Sequence, residues 1–168
     1  QVSGAGGTGL PQGRCTDVYG DPSNNNRLYT AVLGAGANGG IYRSANAGAT
    51  WTQVNTNIAA GDVANASNVK LAMHNSAGNN VVYAIFVVAG RASNVYRSVN
   101  QGNNWTAMGV PTTNEGAPVG IHPGGQGNKN TSIAADKTQP QIVYVGGDRQ
   151  PTANEGVNPN DTTFPNSI

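Results

Sequence analysis

The sequence predicts an all-β fold made of many short strands joined by tight turns. Glycine (24 residues) and proline (9 residues) are spread along the 168-residue chain rather than concentrated in one segment. This distribution suits short strands and turns better than long helices. Hydrophobic residues make up 37% of the chain, which is enough to supply a core for one ordinary domain. A repeated segment supports the same fold class.

The segment YRSANAGATW, residues 42–51, returns as YRSVNQGNNW at residues 96–105. Ser44 and Ser98 are 54 residues apart, and the apolar segments around Tyr29 and Tyr83 have the same spacing. Two features that share one period indicate a repeated β unit, as in propeller blades or another stacked array.

A third copy begins at Asp136, because Tyr144 follows it by eight residues, as Tyr29 follows Asp21. From Tyr83 to Tyr144 the step is 61 residues. We therefore expect about three blades of four-stranded antiparallel sheet. Their predicted bounds are a glycine-rich lead-in or closing strand at 1–16, and repeats at 17–70, 71–130 and 131–168, the last one incomplete.

Each repeat has the same predicted order of strands. A turn such as DPSNNN leads into a nearly continuous apolar strand that we expect to be buried on both faces. After a short connection, such as the segment GRASN, a second strand leads into a hairpin whose return strand opens with tryptophan. The predicted strands are Arg27–Leu33 and Gly40–Ser44 in the first repeat, and Val81–Val88 and Asn94–Ser98 in the second.

The hairpins carry the pattern S-x-N-x-G-x-x-W, which resembles the Asp-box of BNR-repeat β-propellers. The eight positions are Ser44, Asn46, Gly48 and Trp51, and Ser98, Asn100, Gly102 and Trp105. The resemblance covers residues 17–110 well and 131–147 in part. Asparagine stands where that family usually has aspartate, so the acceptor remains but its charge is lost.

Physical chemistry assigns these eight residues a structural role. The serine hydroxyl and the asparagine carbonyl can accept hydrogen bonds from turn amides, and glycine supplies a positive φ. Each tryptophan is expected to fill the gap between strands. We therefore expect Trp51→Ala and Trp105→Ala each to cost about 3 to 5 kcal/mol of stability.

Charge and composition exclude several classes of function. Lys and Arg (9) nearly balance Asp and Glu (8), so the chain offers no basic surface for nucleic acid. No apolar run is long enough to insert in a membrane. The single cysteine, Cys15, cannot form an internal disulfide. Scarce lysine with abundant Asn, Gly and Thr resembles secreted bacterial surface proteins, so we expect an extracellular or cell-surface location.

The sequence contains few residues that could form the catalytic site of a sialidase or another glycosidase. A sialidase would need an arginine cluster, but Arg43 and Arg97 occupy equivalent repeat positions and are interpreted as blade residues. A glycosidase needs two carboxylates about 5 to 9.5 Å apart. Asp21 and Asp136 are repeat-equivalent and are expected to cap turns. The candidate carboxylates are Asp17, Asp21, Asp62, Asp136, Asp148, Asp161, Glu115 and Glu155.

Two glycine-rich segments interrupt the repeat at residues 120–132 and 145–151. Interrupted repeats often mark a binding face. The candidate binding residues are His122, Lys129, Asp148 and Arg149, and each can equally serve as a turn cap or a local ion-pair partner. Neither segment matches a phosphate loop, and no ligand set for calcium or zinc is present, so no cofactor or metal is expected.

The resemblance implies a scaffold with a bias toward glycans, since Asp-box propellers include sialidases, endoglucanases, receptors and lectins. Propellers close with four to eight blades, so we expect further blades from another polypeptide or from other copies of this chain. The preferred interpretation is a noncatalytic recognition or scaffold module that binds glycans. The alternative is a fragment of a glycan-cleaving hydrolase whose catalytic residues lie mostly outside this chain.

Overall fold

A computed structural model describes residues 8–74, 81–111 and 120–148. These residues form mostly antiparallel β-sheet, which confirms the predicted β-rich fold class. The first sheet, sheet 1, runs in chain order through four strands. They are β1 (Arg14–Asp21), β2 (Asn24–Leu33), β3 (Gly40–Ser44) and β4 (Thr52–Gln53).

Sheet 2 repeats this up-and-down order with four further strands. They are β5 (Ala66–Met73), β6 (Val82–Val88), β7 (Arg91–Ser98) and β8 (Thr106–Gly109). Sheet 3 is a single pair, β9 (Ser132–Ala135) with β10 (Val143–Gly146). Two short helices, α1 (Ala60–Asn65) and α2 (Gly127–Asn130), connect the sheets. The described sheets do not close into a barrel.

The sheets are stacked, and alternation along the strands decides which side chains meet. One face of sheet 1, including Tyr29, Ala31 and Leu33, packs against Val82 and Phe86 of sheet 2. The rings of Phe86 and Tyr96 meet edge to face, with centroids 5.5 Å apart. The core therefore lies mainly between sheets 1 and 2.

The opposite face of sheet 2 packs against sheet 3. Tyr83 and Ala72 there contact Ile133, Ala135 and Val143. Sheet 2 therefore lies between the other two sheets. This explains why β6 is buried on both faces, as its continuous apolar sequence predicts. In β2 the residues from Tyr29 to Leu33 are also buried, whereas Asn25 and Asn26 are exposed.

Two local predictions need correction. The turn predicted at residues 21–26 is limited to Pro22 and Ser23, because β2 begins at Asn24, which pairs with Asp21. The predicted GRASN connection is instead a two-residue turn at Ala89 and Gly90, with φ values of 49° and 79°. Such a turn matches the twist of the flanking strands. Arg91 therefore starts β7.

The sequence pattern does not predict β1, β5 or α1. Strand β1 crosses the predicted boundary between residues 16 and 17, and β5 crosses the one between residues 70 and 71. The folded units are therefore 14–53 and 66–109, each a complete four-stranded sheet.

Candidate functional site

The loop between β3 and β4 is held by two side chains. The hydroxyl of Ser44 accepts hydrogen bonds from the amides of Asn46 (3.2 Å) and Gly48 (2.9 Å), and it donates to Asn46 Oδ1 (2.9 Å). Asn46 Oδ1 also accepts from the amide of Thr50 at 2.8 Å. Every acceptor in this loop is therefore a neutral group.

The loop between β7 and β8 repeats this arrangement. Ser98 Oγ accepts from the amides of Asn100 (3.3 Å) and Gly102 (2.8 Å), and it donates to Asn100 Oδ1 (2.9 Å). The amide of Asn104 donates to Asn100 Oδ1 at 2.9 Å. Gly48 and Gly102 have φ values of +88° and +85°, which glycine adopts without strain.

The two tryptophans differ in their surroundings, which corrects the expectation that they are equivalent. Trp105 is only 2% exposed, and its indole Nε1 donates to the carbonyl of Val54 in the first repeat at 2.7 Å. Trp51 is half-buried, and its Nε1 donates to Gly48 of its own loop at 3.0 Å. Only Trp105 lies between two sheets.

A Tyr–Arg pair in each four-stranded sheet donates to one backbone carbonyl of the next unit. Tyr29 Oη and Arg43 NH1 donate to Gln101 O at 3.1 and 2.7 Å. Burial is the main cause that raises the pKa of Tyr29 to about 12, so its hydroxyl remains a donor. The arginine at this repeat position is therefore an inter-sheet contact.

The second Tyr–Arg pair makes the equivalent contact with the third unit. Tyr83 Oη donates to Pro140 O at 2.5 Å, and Arg97 NH2 donates to the same oxygen at 3.0 Å. The repeated tyrosines and arginines are visible in the sequence, but their shared role is not. Their constant spacing along the chain is the feature that could have indicated it. The sequence does not identify the carbonyl oxygen to which each pair donates.

His122 is buried within the 120–131 loop and is fully occupied there. Its Nδ1 accepts from the amide of Ala92 at 3.0 Å, which requires the neutral ring to carry its proton on Nε2. Nε2 then donates to Thr131 Oγ1 (2.8 Å), and that hydroxyl donates to Gly127 O (2.6 Å). Burial, aided by Arg91, lowers the pKa of His122, and Asp148 partly opposes this shift.

The other candidate binding residues lie around the same loop. Asp148 Oδ2 accepts from the amide of Gln126 at 2.9 Å, and its backbone amide donates to Ile121 O at 2.9 Å. Lys129 is exposed on α2. Arg149 lies outside the described residues. The structure thus brings His122 and Asp148 together as supports of one loop, with Lys129 on its surface.

All five carboxylates in the described residues accept structural hydrogen bonds. Asp62, buried in α1, accepts from Tyr96 Oη and Ser93 Oγ at 2.5 Å each. Asp136 accepts from Tyr144 Oη and from the amide of Thr138, and these hydrogen bonds hold its pKa well below the usual range. The remaining partners are Leu71 N for Asp17, Arg27 and Ser23 for Asp21, and Gln126 N for Asp148. Glu115, Glu155 and Asp161 lie outside the described residues.

A cavity of about 530 Å³ opens on the face of sheet 1 that points away from sheet 2. The lining of the cavity is mostly apolar. Two of its polar groups contact each other, since Thr30 Oγ1 lies 2.8 Å from Cys15 Sγ. The cavity is lined by Leu10, Pro11, Gly13, Cys15, Val18, Leu28, Thr30, Val32, Ala47, Gly48, Ala49 and Trp51, of which Thr30 and Val32 are buried.

Within residues 8–74, 81–111 and 120–148, no group of three or more His, Cys, Asp or Glu side chains is placed to hold a metal ion. In the same residues, α1 has six residues and α2 has four, so neither helix can span a bilayer.

No protein-family model matches this chain, and a search of curated proteins finds no significant match.

Proposed function

We propose that this chain is a segment of a BNR/Asp-box β-propeller, secreted or on the cell surface, that acts as a noncatalytic recognition or scaffold module for glycans. Support for the propeller comes from two meander sheets of the same strand order, stacked face to face, with equivalent serine–asparagine loops. Further blades would come from another polypeptide or from other copies of this chain.

Every carboxylate in the described residues accepts hydrogen bonds from the protein itself. This observation is the main support for the noncatalytic assignment. A general acid or nucleophile must face a substrate with its oxygens available. Asp62 instead accepts two short hydrogen bonds from neighbouring side chains in the protein interior. Asp17 holds the amide of Leu71 in sheet 2 at 2.8 Å. These carboxylates serve the fold.

The proposed ligand class follows from the family resemblance and from the surface chemistry. Charged residues are only 10% of the chain, and its net charge is +1, so amide and hydroxyl groups provide most of its polar contacts. Such groups suit neutral polyhydroxyl ligands. Lys129, exposed on the 120–131 loop that His122 and Asp148 hold in place, is the proposed surface contact.

A glycan array run beside a hydrolysis screen on the same protein tests this proposal. We expect retention of a glycan without release of reducing sugar. Lys129→Ala should weaken retention at least several-fold, whereas Lys137→Ala, an exposed lysine in the β9–β10 turn, should leave it unchanged. Turnover of a glycan that is not retained would favour the hydrolase alternative and overturn the noncatalytic assignment.

A further inference from the structure

A histidine with two fixed ring nitrogens joins the 120–131 loop to the start of β7. The Nδ1 atom of His122 lies 3.0 Å from the backbone nitrogen of Ala92. A backbone N–H can only donate, so Nδ1 must accept and carries no proton. The Thr131 hydroxyl donates its only proton to Gly127 O at 2.6 Å, so Nε2 is the donor in its 2.8 Å contact with Thr131. These hydrogen bonds are compatible with the neutral ring alone.

The ring has no room to turn away from Ala92. A Cβ atom on Gly127 would lie 3.0 Å from Cε1 of His122, and a Cβ atom on Gly147 would lie 3.0 Å from Cδ2. Both distances are shorter than an ordinary contact between carbon atoms. The histidine is also only 1% exposed. The ring therefore cannot present a different atom to Ala92 unless the loop itself moves.

A second proton on the ring would remove the hydrogen bond to Ala92. The Nδ1–H group and the Ala92 N–H group would then face each other as two donors, and each buried donor would lack an acceptor. Because the ring cannot turn, the loop must move to relieve this contact. Protonation of His122 therefore acts directly on the connection between the loop and β7.

The charged groups around the ring come from two segments. Arg91 of β7 donates to His122 O at 2.7 Å and to Pro123 O at 3.2 Å, so it places a positive charge beside the histidine. Asp148, which follows β10, is negative and favours the charged ring. Burial and Arg91 outweigh Asp148, since the pKa of His122 is lowered from 6.5. Lys129 on α2 is exposed.

Hydrogen bonds, rather than apolar packing, hold the rest of the loop in place. The amide of Gly127 donates to Gly90 O at 2.8 Å, and Asn68 Nδ2 donates to Gly127 O at 3.2 Å. The fully buried members of residues 120–131 are His122, Gly127 and Thr131, and none of them has a large apolar side chain. A segment with so little apolar burial opens at lower free energy than packed strands do.

We propose that protonation of His122 below neutral pH releases the 120–131 loop from the turn between β6 and β7, while the stacked sheets stay folded. The released loop no longer holds Lys129, the proposed glycan contact, in one position. Retention of the ligand is then strong at neutral pH and weak in acid. This last consequence rests on the proposed function, whereas the release of the loop does not.

Amide hydrogen exchange between pH 7.5 and pH 5, corrected for the intrinsic pH dependence of exchange, tests the release. Below the lowered pKa, protection of the Ala92 and Gly127 amides should fall by about tenfold for each pH unit. The amide of Ile85, in the buried strand β6, should keep its protection. Unchanged protection of Ala92 and Gly127 would overturn the proposal, and so would a parallel fall at Ile85, which would indicate global unfolding.

Two histidine variants form a matched pair. In His122→Asn, the side-chain oxygen can take the place of Nδ1 and accept from Ala92, but it gains no proton, so the pH dependence should disappear. His74 is also buried, but its Nδ1 faces the carbonyl of Asp136 at 2.5 Å and already carries a proton. His74→Asn should therefore leave the response of the loop unchanged. A response that persists in His122→Asn would overturn the proposal.

Asp148→Asn gives an independent test if His122→Asn does not fold. This variant keeps an oxygen for the amide of Gln126, which lies 2.9 Å from Asp148 Oδ2, but it removes the charge that favours the protonated ring. The midpoint of release should move to lower pH. A purely structural role of Asp148 would loosen the loop equally at every pH, and an unmoved midpoint would overturn the proposal.

Glycan retention at pH 7.5 and pH 5 is measured separately from exchange. The wild type should lose at pH 5 a glycan that it retains at pH 7.5, whereas His122→Asn should retain it at both. Loop release without glycan retention at either pH would remove the proposed function and leave the release standing. Retention together with an unchanged loop would do the opposite, and equal retention by a released loop would overturn the regulation of binding.

Discussion

Asn100 illustrates how one neutral side chain organises a loop. Its Oδ1 accepts from the backbone amide of Asn104 and from the hydroxyl of Ser98. Both donors converge on an oxygen that carries only a partial charge. An ionised acceptor at the same place would form stronger hydrogen bonds without changing the shape of the side chain.

We therefore expect Asn100→Asp to raise the free energy of unfolding by about 1 kcal/mol at neutral pH. The pKa of the new carboxyl should fall below the ordinary value of about 3.9, so the gain should be present above that pH and disappear as the pH falls through the lowered pKa. Urea unfolding at pH 7 and pH 3 measures this.

The control is Asn104→Asp, which adds the same charge to an exposed side chain in the same loop. It should change stability by less than about 0.5 kcal/mol. Equal effects of the two variants would assign the gain to general charge rather than to the loop hydrogen bonds.

His122 makes stability depend on pH in the opposite sense from a partnered histidine cation. Burial lowers its pKa from the ordinary 6.5, so between the lowered value and 6.5 the unfolded chain binds more protons than the folded one. The contribution of His122 is therefore complete above pH 6.5 and is lost as the pH falls below it. Arg91 opposes protonation, and Asp148 favours it.

Unfolding free energies at several pH values between 8 and 5.5 check this expectation. The wild type should lose stability on acidification, and His122→Asn should be less stable at pH 8 but have a shallower slope. Parallel slopes for the two proteins would contradict the proposed coupling of His122 to folding.

At the scale of elements, the hairpin loops have one sequence pattern and two environments. The hydrogen bonds within each loop involve residues no more than four positions apart, so residue types alone allow them to be anticipated. The environment of the tryptophan depends on which sheet lies beside it. Local sequence therefore specifies the loop, and stacking decides the burial of Trp51 and Trp105.

Trp105→Ala should accordingly cost about 3 to 5 kcal/mol, because it empties a buried site and leaves the carbonyl of Val54 without its donor. Trp51→Ala should cost no more than about half of that, since part of its ring is already exposed. Thermal or urea unfolding of the two variants measures the difference. Equal losses would mean that Trp51 is as well packed as Trp105.

At the scale of the whole molecule, the repeat period and the buried strand β6 could be predicted. The repeated segments and the apolar run of β6 are each contiguous in the sequence. Strands β1 and β5 could not be predicted. β1 has mostly exposed or half-buried residues, and β5 mixes polar residues such as Asn68 and Lys70 with apolar ones. The contacts of Asp62 with Tyr96 and of Tyr83 with Pro140 join residues 34 and 57 positions apart. No local pattern specifies such pairs.

The candidate binding loop shows the same limit. Its glycine-rich sequence marks residues 120–132 as unusual, but the sequence does not reveal that His122 supports the turn between β6 and β7 through the amide of Ala92. A buried histidine and an exposed one are identical in sequence. The fold decides between them by bringing Thr131 and Ala92 to the two ring nitrogens.

Because the two indoles have different surroundings, their fluorescence can report on the packing around each of them. Trp51 and Trp105 are its only tryptophans, and an indole emits at longer wavelength when water can relax around its excited dipole. With Trp51 replaced by phenylalanine, emission from Trp105 reports whether sheets 1 and 2 remain stacked. With Trp105 replaced instead, a blue shift of Trp51 on raising the protein concentration would reveal that its side of the sheet has become dry.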